Sequence, residues 1–430
     1  MNIPLALDKI KNGVSPTVNR SSDLTISSLG IARWMLVLGA FFAGYHILRI
    51  GDVNVTLADA LILSAFAIFL AHGKLNTRPF GELTPFWIAA LVMMLGGLFI
   101  STLINGNMLR WFIVAGQYSI GFLLIPMLLT ALTREFVRRM AISLLIGITV
   151  MELIGIFAVL TIDHVQASAI FSTEFIAGNG RLGSFAGEPN WNGQLITYAI
   201  IIMIYSAIKR LLPFWAILVI APVLIWSLLL CASFTAFSAT VIAVSILLVL
   251  LGWRYLLGFA AAILLGALLF FASGAPLPEI FDKRVGTAIL SGDLDSAGTF
   301  NGRTSLIAEA WEYSDETSFV GLGVDQFRER SLTRQPVHNL YLLMWTEGGL
   351  ISLLGLVGIM ALMGLMALAR LRDMRKEAAV ALSIIFVYLA YTMASPHMFA
   401  RFTILPVMLS LAMLYGRTSL KPAARIPNRR

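Results

Sequence analysis

Charged residues are scarce in this chain of 430 residues. They make up 13% of it, against 58% hydrophobic residues. A soluble domain carries about 25% charged residues, and a water-soluble fold of this size has no core large enough to hide so much apolar surface. The composition therefore excludes an ordinary soluble enzyme and indicates a protein that has lipid as its solvent.

Cysteine and histidine are also rare. The one cysteine, Cys231, lies in an apolar run, so an intramolecular disulfide and a cysteine-based metal site are both excluded. The five histidines are scattered, and none has the paired spacing of a zinc ligand set. We therefore expect no metal and no cofactor.

The positive net charge of +8 does not indicate a nucleic-acid partner, because the basic residues lie in short segments between apolar runs. That distribution is typical of residues that orient a membrane protein. Residues 1–26 are polar, and no small-residue cleavage site follows the first apolar run. We expect that run to be an uncleaved anchor rather than a secretory signal peptide.

Apolar runs that are long enough to cross a bilayer recur along the chain. A spanning helix needs about 20 mainly apolar residues, within a range of roughly 17–25. The sequence predicts an all-α polytopic membrane protein with about 12 transmembrane helices and a partly helical periplasmic cap. The predicted spans are 34–50, 57–72, 84–104, 112–132, 138–161, 192–208, 213–231, 234–251, 255–273, 349–369, 378–395 and 401–416.

Lysine and arginine are unequally shared between the two sides of these spans. With the N-terminus inside, the inside segments hold 21 of the 31 Lys and Arg residues, and the short outside segments hold 4. The positive-inside rule then sets the orientation. The predicted organisation is a cytoplasmic segment 1–33, helices 1–9 over 34–273 with an outer loop at 162–191, a long periplasmic loop 274–348, helices 10–12 over 349–416, and a basic cytoplasmic tail 417–430.

Two polar interruptions, at 162–191 and 274–348, fall on the outer side. A loop longer than about 15 residues is usually functional or disordered. The second loop has helical patterning at 301–314 and again at 324–332, which predicts a folded cap. We find no internal repeat, which argues against an inverted-repeat transporter.

The first outer segment is rich in residues that bind ligands. Residues 180–193 contain Arg181, Glu188 and Asn190, with Pro189 at a predicted helix start. Glycines in the same stretch allow a backbone to approach a ligand closely. A cation beside a carboxylate at the mouth of a span is a candidate site, and the alternative is a solvated loop that caps the helix.

The second outer segment ends where a polar loop meets an apolar helix, at His338, Asn339 and Tyr341, with Glu347 beyond and Trp311 earlier in the loop. Histidine titrates near neutrality, so His338 is a candidate base or proton donor. A structural role for one interfacial histidine is the alternative. The polar and aromatic residues near His338 in the sequence favour a functional role over a structural one.

Arginines on the outer side are candidates for phosphate binding, because a guanidinium stays charged and binds phosphate bidentately. Arg303 and Arg181 each lie in a glycine-flanked motif. Arg401 opens the last predicted span, and for this residue a headgroup anchor is the alternative.

Two acidic residues, Asp59 and Glu152, lie within apolar runs. A charge inside a membrane is costly unless it is paired. We expect Asp59, near the outer end of the second span, to pair with Arg49. The sequence identifies no partner for Glu152.

In order and spacing, these motifs resemble those of the O-antigen ligase and polymerase superfamily of bacterial inner-membrane enzymes. The resemblance covers most of the chain and includes the helix count, the long late loop and the orientation. It departs near the eighth span, where the superfamily often has a Ser-Arg pair and this chain has Ser233 followed by Phe234. The segments that carry it are 54–59, 181–190, 301–303 with Trp311, 321–323 with Phe327, 338–341 and 347–349.

The resemblance implies a metal-independent, inverting glycosyltransferase of the GT-C type, acting at the periplasmic face of the inner membrane. Its donor would be an undecaprenyl-pyrophosphate-linked glycan, and its acceptor a hydroxyl of another glycan or of the lipid A core. Arg303 would bind the pyrophosphate, with Arg181 and Arg401 as weaker candidates, and His338 falls on the essential histidine. Glu188 and His338 both remain candidates for the base. The supporting residues would be Asn190, Trp311, Asn339, Tyr341 and Glu347.

Several functions remain open at this point. A ligase moves a finished polymer onto its acceptor, whereas a polymerase extends the chain on its carrier; both use the same donor, and we slightly favour the ligase. A secondary transporter or flippase explains the spans but neither the folded outer cap nor the lack of repeats. A scaffolding membrane protein leaves the outer motifs unexplained.

Overall fold

A computed structural model of the protein describes residues 20–49, 55–292, 300–316, 318–396 and 398–418, with the side chains of 20–27, 300–303 and 316 left undescribed. Within these residues the regular structure is helical, and β-type pairing is limited to three isolated bridges. The prediction of an all-α fold is confirmed.

Twelve helices in the described residues form the bundle, and each overlaps one predicted span. A helix satisfies its own backbone N–H and C=O groups, which lipid cannot do, so helices are the expected way for this chain to cross a membrane. The helices are α1 (Arg20–Phe41), α2 (Leu57–Ala71), α3 (Thr84–Asn105), α4 (Met108–Leu129, with a π turn at Ile120–Leu124), α5 (Arg134–Thr161), α6 (Pro189–Ile208), α7 (Phe214–Cys231), α8 (Phe234–Leu251), α9 (Trp253–Ala272), α10 (Leu340–Ala369), α11 (Arg375–Thr392) and α12 (Arg401–Tyr415).

Eight of these helices are long and apolar enough to cross a membrane: α3 to α10. The chain is therefore a polytopic, helical membrane protein. Three others are shorter apolar helices, at 28–44, 57–71 and 401–415, and α11 begins with the charged run Arg375, Lys376 and Glu377. The total of twelve crossings stays a prediction.

Helices α6 and α12 form the centre of the bundle. In α6, 83% of the apolar window is buried, and in α12 every residue from Arg401 to Leu414 is buried. A helix that is apolar on all sides is expected to be surrounded by others. Helix α9 lies at the other extreme, since none of its residues is buried.

Helices α3 and α10 pack unusually closely, through small residues on both. A Cβ added at Gly355 would lie 2.2 Å from the Met94 backbone nitrogen, and one at Gly97 would lie 2.6 Å from that of Ser352. The Ser352 hydroxyl also donates to the Met94 carbonyl at 2.8 Å. Small residues that let backbones approach are a recurrent way to hold membrane helices together.

Replacing Gly355 by alanine is expected to lower the free energy of unfolding by about 1–3 kcal/mol, because a methyl group overpacks this contact. Gly364→Ala in the same helix is the matched control, since a Cβ there meets nothing within 4 Å. Thermal unfolding of the two variants in detergent measures the difference. Equal melting temperatures for both variants would contradict this description of the α3–α10 contact.

One end of the bundle, which we call the basic end, is defined by Arg138, Lys209 and Glu377. The Glu377 carboxylate accepts hydrogen bonds from Arg138 at 2.9 Å, Lys209 at 2.7 Å and the Tyr205 hydroxyl at 3.1 Å. These contacts join the start of α5, the end of α6 and the start of α11. Two cations and a hydroxyl thus offset the cost of burying the Glu377 charge.

The opposite end, which we call the motif end, carries residues 180–193 and 338–341. Helix α6 begins there at Pro189, and α11 ends there at Thr392, whose hydroxyl donates to the Tyr341 hydroxyl at 3.2 Å. The two segments that the sequence singles out therefore both lie at one end of the bundle.

Candidate functional site

The segment before α6 ends in a helix cap made by Glu188. This residue has an extended backbone, and its Oε2 accepts the backbone N–H of Trp191 at 2.9 Å, with Pro189 at the first helical position. The predicted helix start is confirmed. A carboxylate is favoured there because the N-terminus of a helix carries partial positive charge.

Arg181 is held against the end of another helix. Its Nε donates to the carbonyl of Cys231, the last residue of α7, at 2.8 Å, and its Nη2 donates to Oδ1 of Asn190 at 2.9 Å. Only 8% of the residue is exposed. The guanidinium thus faces the negative end of the α7 dipole, in an environment where charge interactions are strong.

Asn190 joins this cation to the carboxylate. Its Oδ1 accepts from Arg181 and from the Ser233 hydroxyl at 2.8 Å, and its Nδ2 donates to Oε1 of Glu188 at 2.6 Å. Arg181, Glu188, Asn190 and Ser233 form one connected group, which we call the Arg181 cluster. Three of the residues predicted for the site are therefore side by side. Asn190 fixes the positions of the two charged ones, Arg181 and Glu188.

Ser233 is the member of the cluster that sequence reasoning missed. The resemblance draws attention only to the next residue, Phe234, which stands where the superfamily often has an arginine. In the structure its hydroxyl also accepts the backbone N–H of Ala236 at 3.2 Å, which caps α8. A serine directly before an apolar helical run is the local signal of such a cap, but its contact with Asn190 depends on the fold.

Replacing Ser233 by alanine is expected to cost about 1 kcal/mol of stability, since it removes a cap and a hydrogen bond. Ser245→Ala is the matched control in the same helix: Ser245 is exposed, and its hydroxyl donates to the Val241 carbonyl within the helix. Chemical unfolding in detergent compares them. A larger loss for the control would contradict the role given to Ser233.

A second charged group, a buried ion pair, lies at the start of α12. Arg401 donates to both oxygens of Asp59 at 2.5 Å and to the Gln117 side chain at 3.2 Å. The expected partner of Asp59 was Arg49, and that prediction is wrong. Arg49 instead contacts His46, through its Nη2 and the ring Nε2 at 2.6 Å. An arginine can only donate, so this ring nitrogen accepts the hydrogen bond.

Aromatic rings connect this ion pair to the Arg181 cluster. The indole of Trp191, directly after Asn190, lies 5.6 Å from the His46 ring and 5.5 Å from that of Phe402, and the latter two rings are 5.1 Å apart. Phe402 follows Arg401 in the chain. Arg401 is thus linked through Phe402 and Trp191 to the helix start that Glu188 caps. Its guanidinium, however, already binds Asp59 and Gln117.

Glu152, for which the sequence identified no partner, lies beneath the cluster. It is fully buried in α5, and its Oε2 accepts from the amide of Asn192 at 3.3 Å. The same amide contacts Cys231 Sγ and the Leu182 carbonyl, both at 3.3 Å. The polar residues therefore continue from the cluster into the bundle.

Two tyrosines lie at the end of α11, one in this helix and one in α10. The Tyr391 hydroxyl lies 3.5 Å from the position that a Cβ of Gly193 would take, and among the described residues this buried hydroxyl has no hydrogen-bond partner. The neighbouring Thr392 contacts the Tyr341 hydroxyl. The predicted Tyr341 therefore contacts the end of α11. Tyr391 was not a predicted site residue, and the sequence holds no signal for it beyond its place at the end of a span.

The second motif forms the start of α10. Asn339 caps this helix, because its Oδ1 accepts the backbone N–H groups of Tyr341 and Leu342 at 3.0 and 3.1 Å. His338 is half-buried directly before the cap, and its neighbours Val337 and Leu340 are buried. The role of His338 stays a prediction.

Glu347 serves a separate part of the structure. Its carbonyl accepts the backbone N–H of Gly323 at 2.9 Å, and its carboxylate lies against the backbone of Asp325 and Phe327. Gly349, with φ of 72°, then lets α10 kink past the backbone of Phe319. These contacts fasten the segment 318–330 to α10, which makes a structural role the simplest account of Glu347.

The other predicted residues of the long loop lie on the helix Phe300–Glu316. Trp311 packs its ring at 5.4 Å from that of Trp345 in α10. The side chain of Arg303 lies outside the described residues, so its predicted contact with pyrophosphate stays a prediction.

The Arg181 cluster provides a fixed cation and a carboxylate close together at the mouth of the helices. Such a pair can bind an anionic group and accept a proton from a neighbouring hydroxyl. In the described residues no group of three or more His, Cys, Asp or Glu side chains is arranged to hold a metal ion. The chain matches no known protein family and no curated protein, so its function is inferred from the site itself.

Proposed function

We propose that this protein transfers a glycan from a polyprenyl-pyrophosphate carrier to an acceptor hydroxyl, as an O-antigen ligase does. The observation that carries the proposal is the link from Arg181 through Asn190 to Glu188. It holds a cation and a carboxylate next to each other at one end of a membrane bundle, where the pyrophosphate and the sugar of a lipid-linked donor would lie.

The chemistry needs two charges of opposite sign. The acceptor oxygen forms a bond to the anomeric carbon while the bond from that carbon to the phosphate oxygen breaks. The carrier pyrophosphate leaves with the bonding electrons, and the acceptor proton passes to a base. A direct displacement of this kind inverts the anomeric centre.

Arg181 is suited to stabilise the leaving pyrophosphate. Cys231 and Asn190 engage two of its N–H groups, and the others can donate to phosphate oxygens. A guanidinium fixed before the reaction stabilises the charge that develops on the pyrophosphate without having to reorganise. Arg303 and Arg401 remain further candidates for the same anion, although Arg401 would have to share its guanidinium with Asp59.

Glu188 is suited to act as the base that accepts the acceptor proton. Each of its oxygens accepts one hydrogen bond, and a carboxylate in this arrangement has lone pairs left for a proton. Its position beside Arg181 is the reason to prefer it to His338, which stays the second candidate. Tyr341 and Trp191, both half-buried, offer a hydroxyl and aromatic surfaces of the kind that contact sugars.

The side of the membrane follows from the charge distribution. Lysine and arginine gather in the short segments at the basic end, which the positive-inside rule assigns to the cytoplasm. The motif end would then face the periplasm of a bacterial inner membrane, where lipid-linked glycans are joined to their acceptors.

A reconstituted transfer assay tests the proposal. The purified full-length chain in liposomes is given a labelled polyprenyl-pyrophosphate glycan and, in separate arms, a lipid A-core acceptor or no acceptor besides the donor itself. Label on the lipid A core supports a ligase, and longer carrier-linked chains alone would identify a polymerase. Movement of intact donor across the bilayer without transfer in either arm would support a flippase and refute the proposal.

A further inference from the structure

A cavity of about 450 Å³ opens at the basic end of the bundle, away from the Arg181 cluster. This volume is within the usual range for small-molecule sites, about 300–1,000 Å³. One side is apolar, and the rim is basic. The apolar side is formed by Leu29, Phe69, Ala131, Leu132 and Phe136, and the rim by Arg33, Lys74, Arg139 and Arg417, with Thr133 and Glu135.

The four cations of this rim differ from the other basic residues nearby. Arg138 and Lys209 bind Glu377, Arg134 donates to the Leu414 and Gly416 carbonyls, and Arg375 donates to the Leu250 carbonyl. For the rim side chains, the described part of the chain offers no ion-pair partner. All four residues are exposed, and together with one carboxylate they leave a net positive field at the cavity that attracts an anion. The unpaired ones are Arg33, Lys74, Arg139 and Arg417.

The cavity is built by fixed backbone. Arg417 donates its N–H to the Leu132 carbonyl at 2.9 Å, and its own carbonyl accepts from Arg134 at 3.0 Å. Thr133 caps α5 with its side chain, so the positive end of a 28-residue helix points into the same place. The rim is therefore anchored on the starts and ends of several helices.

We propose that this cavity binds the headgroup of an anionic phospholipid, with an acyl chain along its apolar side. Basic cavities between membrane helices at a cytoplasmic surface are suited to anionic headgroups. The phosphate would be shared by the rim cations. The apolar side favours a lipid over a free phosphate ion, because an ion alone would leave this surface unused.

Native mass spectrometry of the full-length protein in non-ionic detergent tests the proposal. Phosphatidylglycerol is titrated in one arm, phosphatidylcholine in a second and inorganic phosphate in a third. The wild type is expected to bind phosphatidylglycerol with a clear preference. The double variant Arg33→Gln with Arg139→Gln should bind it about 25-fold more weakly, because each basic residue near an anionic headgroup contributes about fivefold.

The matched control is Arg254→Gln with Arg372→Gln, two exposed arginines at the same end but outside the cavity. It should keep wild-type binding. An equal loss in the control would show diffuse attraction and overturn the proposal, as would inorganic phosphate that binds as tightly as the lipid and depends on the same residues. If the first double variant aggregates, Lys74→Gln with Arg417→Gln replaces it with the same expected loss.

Discussion

Replacing Glu188 by glutamine is expected to lower kcat for glycan transfer by about 10²–10⁴-fold, the usual contribution of a general base. The amide cannot accept the proton of the acceptor hydroxyl. The KM for the donor should change little, because Arg181 keeps its contacts with Cys231 and Asn190. Stability should fall by about 1 kcal/mol, since one amide oxygen cannot serve both Trp191 and Asn190 as two carboxylate oxygens do.

Glu174→Gln is the control for this experiment. It removes an exposed carboxylate from the same segment and should leave kcat within a factor of two of wild type. Initial rates at saturating donor, with melting temperatures of all proteins, separate the chemical effect from the structural one. A Glu188→Gln variant that keeps most of its kcat would exclude Glu188 as the base, and His338→Ala would then be the variant to measure.

Breaking the buried pair of Asp59 and Arg401 is expected to produce the largest loss of stability in the molecule. Arg401→Gln should cost about 3–5 kcal/mol, because it leaves a buried carboxylate without its cation, and the hydrogen bonds from the Thr56 N–H and hydroxyl do not neutralise the charge. The side chains are 3% and 9% exposed, so water cannot replace the missing contact. The double variant with Asp59→Asn should recover part of the loss, since no charge is then left buried.

The ion pair of Arg110 and Asp325 is the matched comparison. Its side chains are 37% and 19% exposed, and an exposed pair contributes about 0.2–1 kcal/mol. Arg110→Gln should therefore change the unfolding free energy much less than Arg401→Gln. If Arg401→Gln instead kept its stability but lost affinity for the donor, Arg401 would bind the pyrophosphate directly, as the sequence had suggested.

The features that the sequence predicts well are those fixed by neighbouring residues. The helices follow from runs of apolar residues, and the start of α6 follows from Glu188 and Pro189. The grouping of Arg181, Glu188 and Asn190 is also local, since ten consecutive residues contain all three.

The features that the sequence does not predict depend on distant contacts. Asp59 pairs with Arg401, 342 residues away, whereas reasoning by proximity chose Arg49. Ser233 and the Cys231 carbonyl join the cluster only because α7 and α8 meet beside α6. Glu347 shows the same limit in another way: a carboxylate after an apolar run fits a ligand site and a loop anchor equally well until its partners are known.

The most direct test of the account is a structure of the protein with a bound lipid-pyrophosphate glycan that cannot be transferred. The account predicts the pyrophosphate within hydrogen-bonding distance of the Arg181 guanidinium and the acceptor side of the sugar facing Glu188. A pyrophosphate found away from the motif end, for example among Arg33 and Arg139 at the basic end, would contradict it.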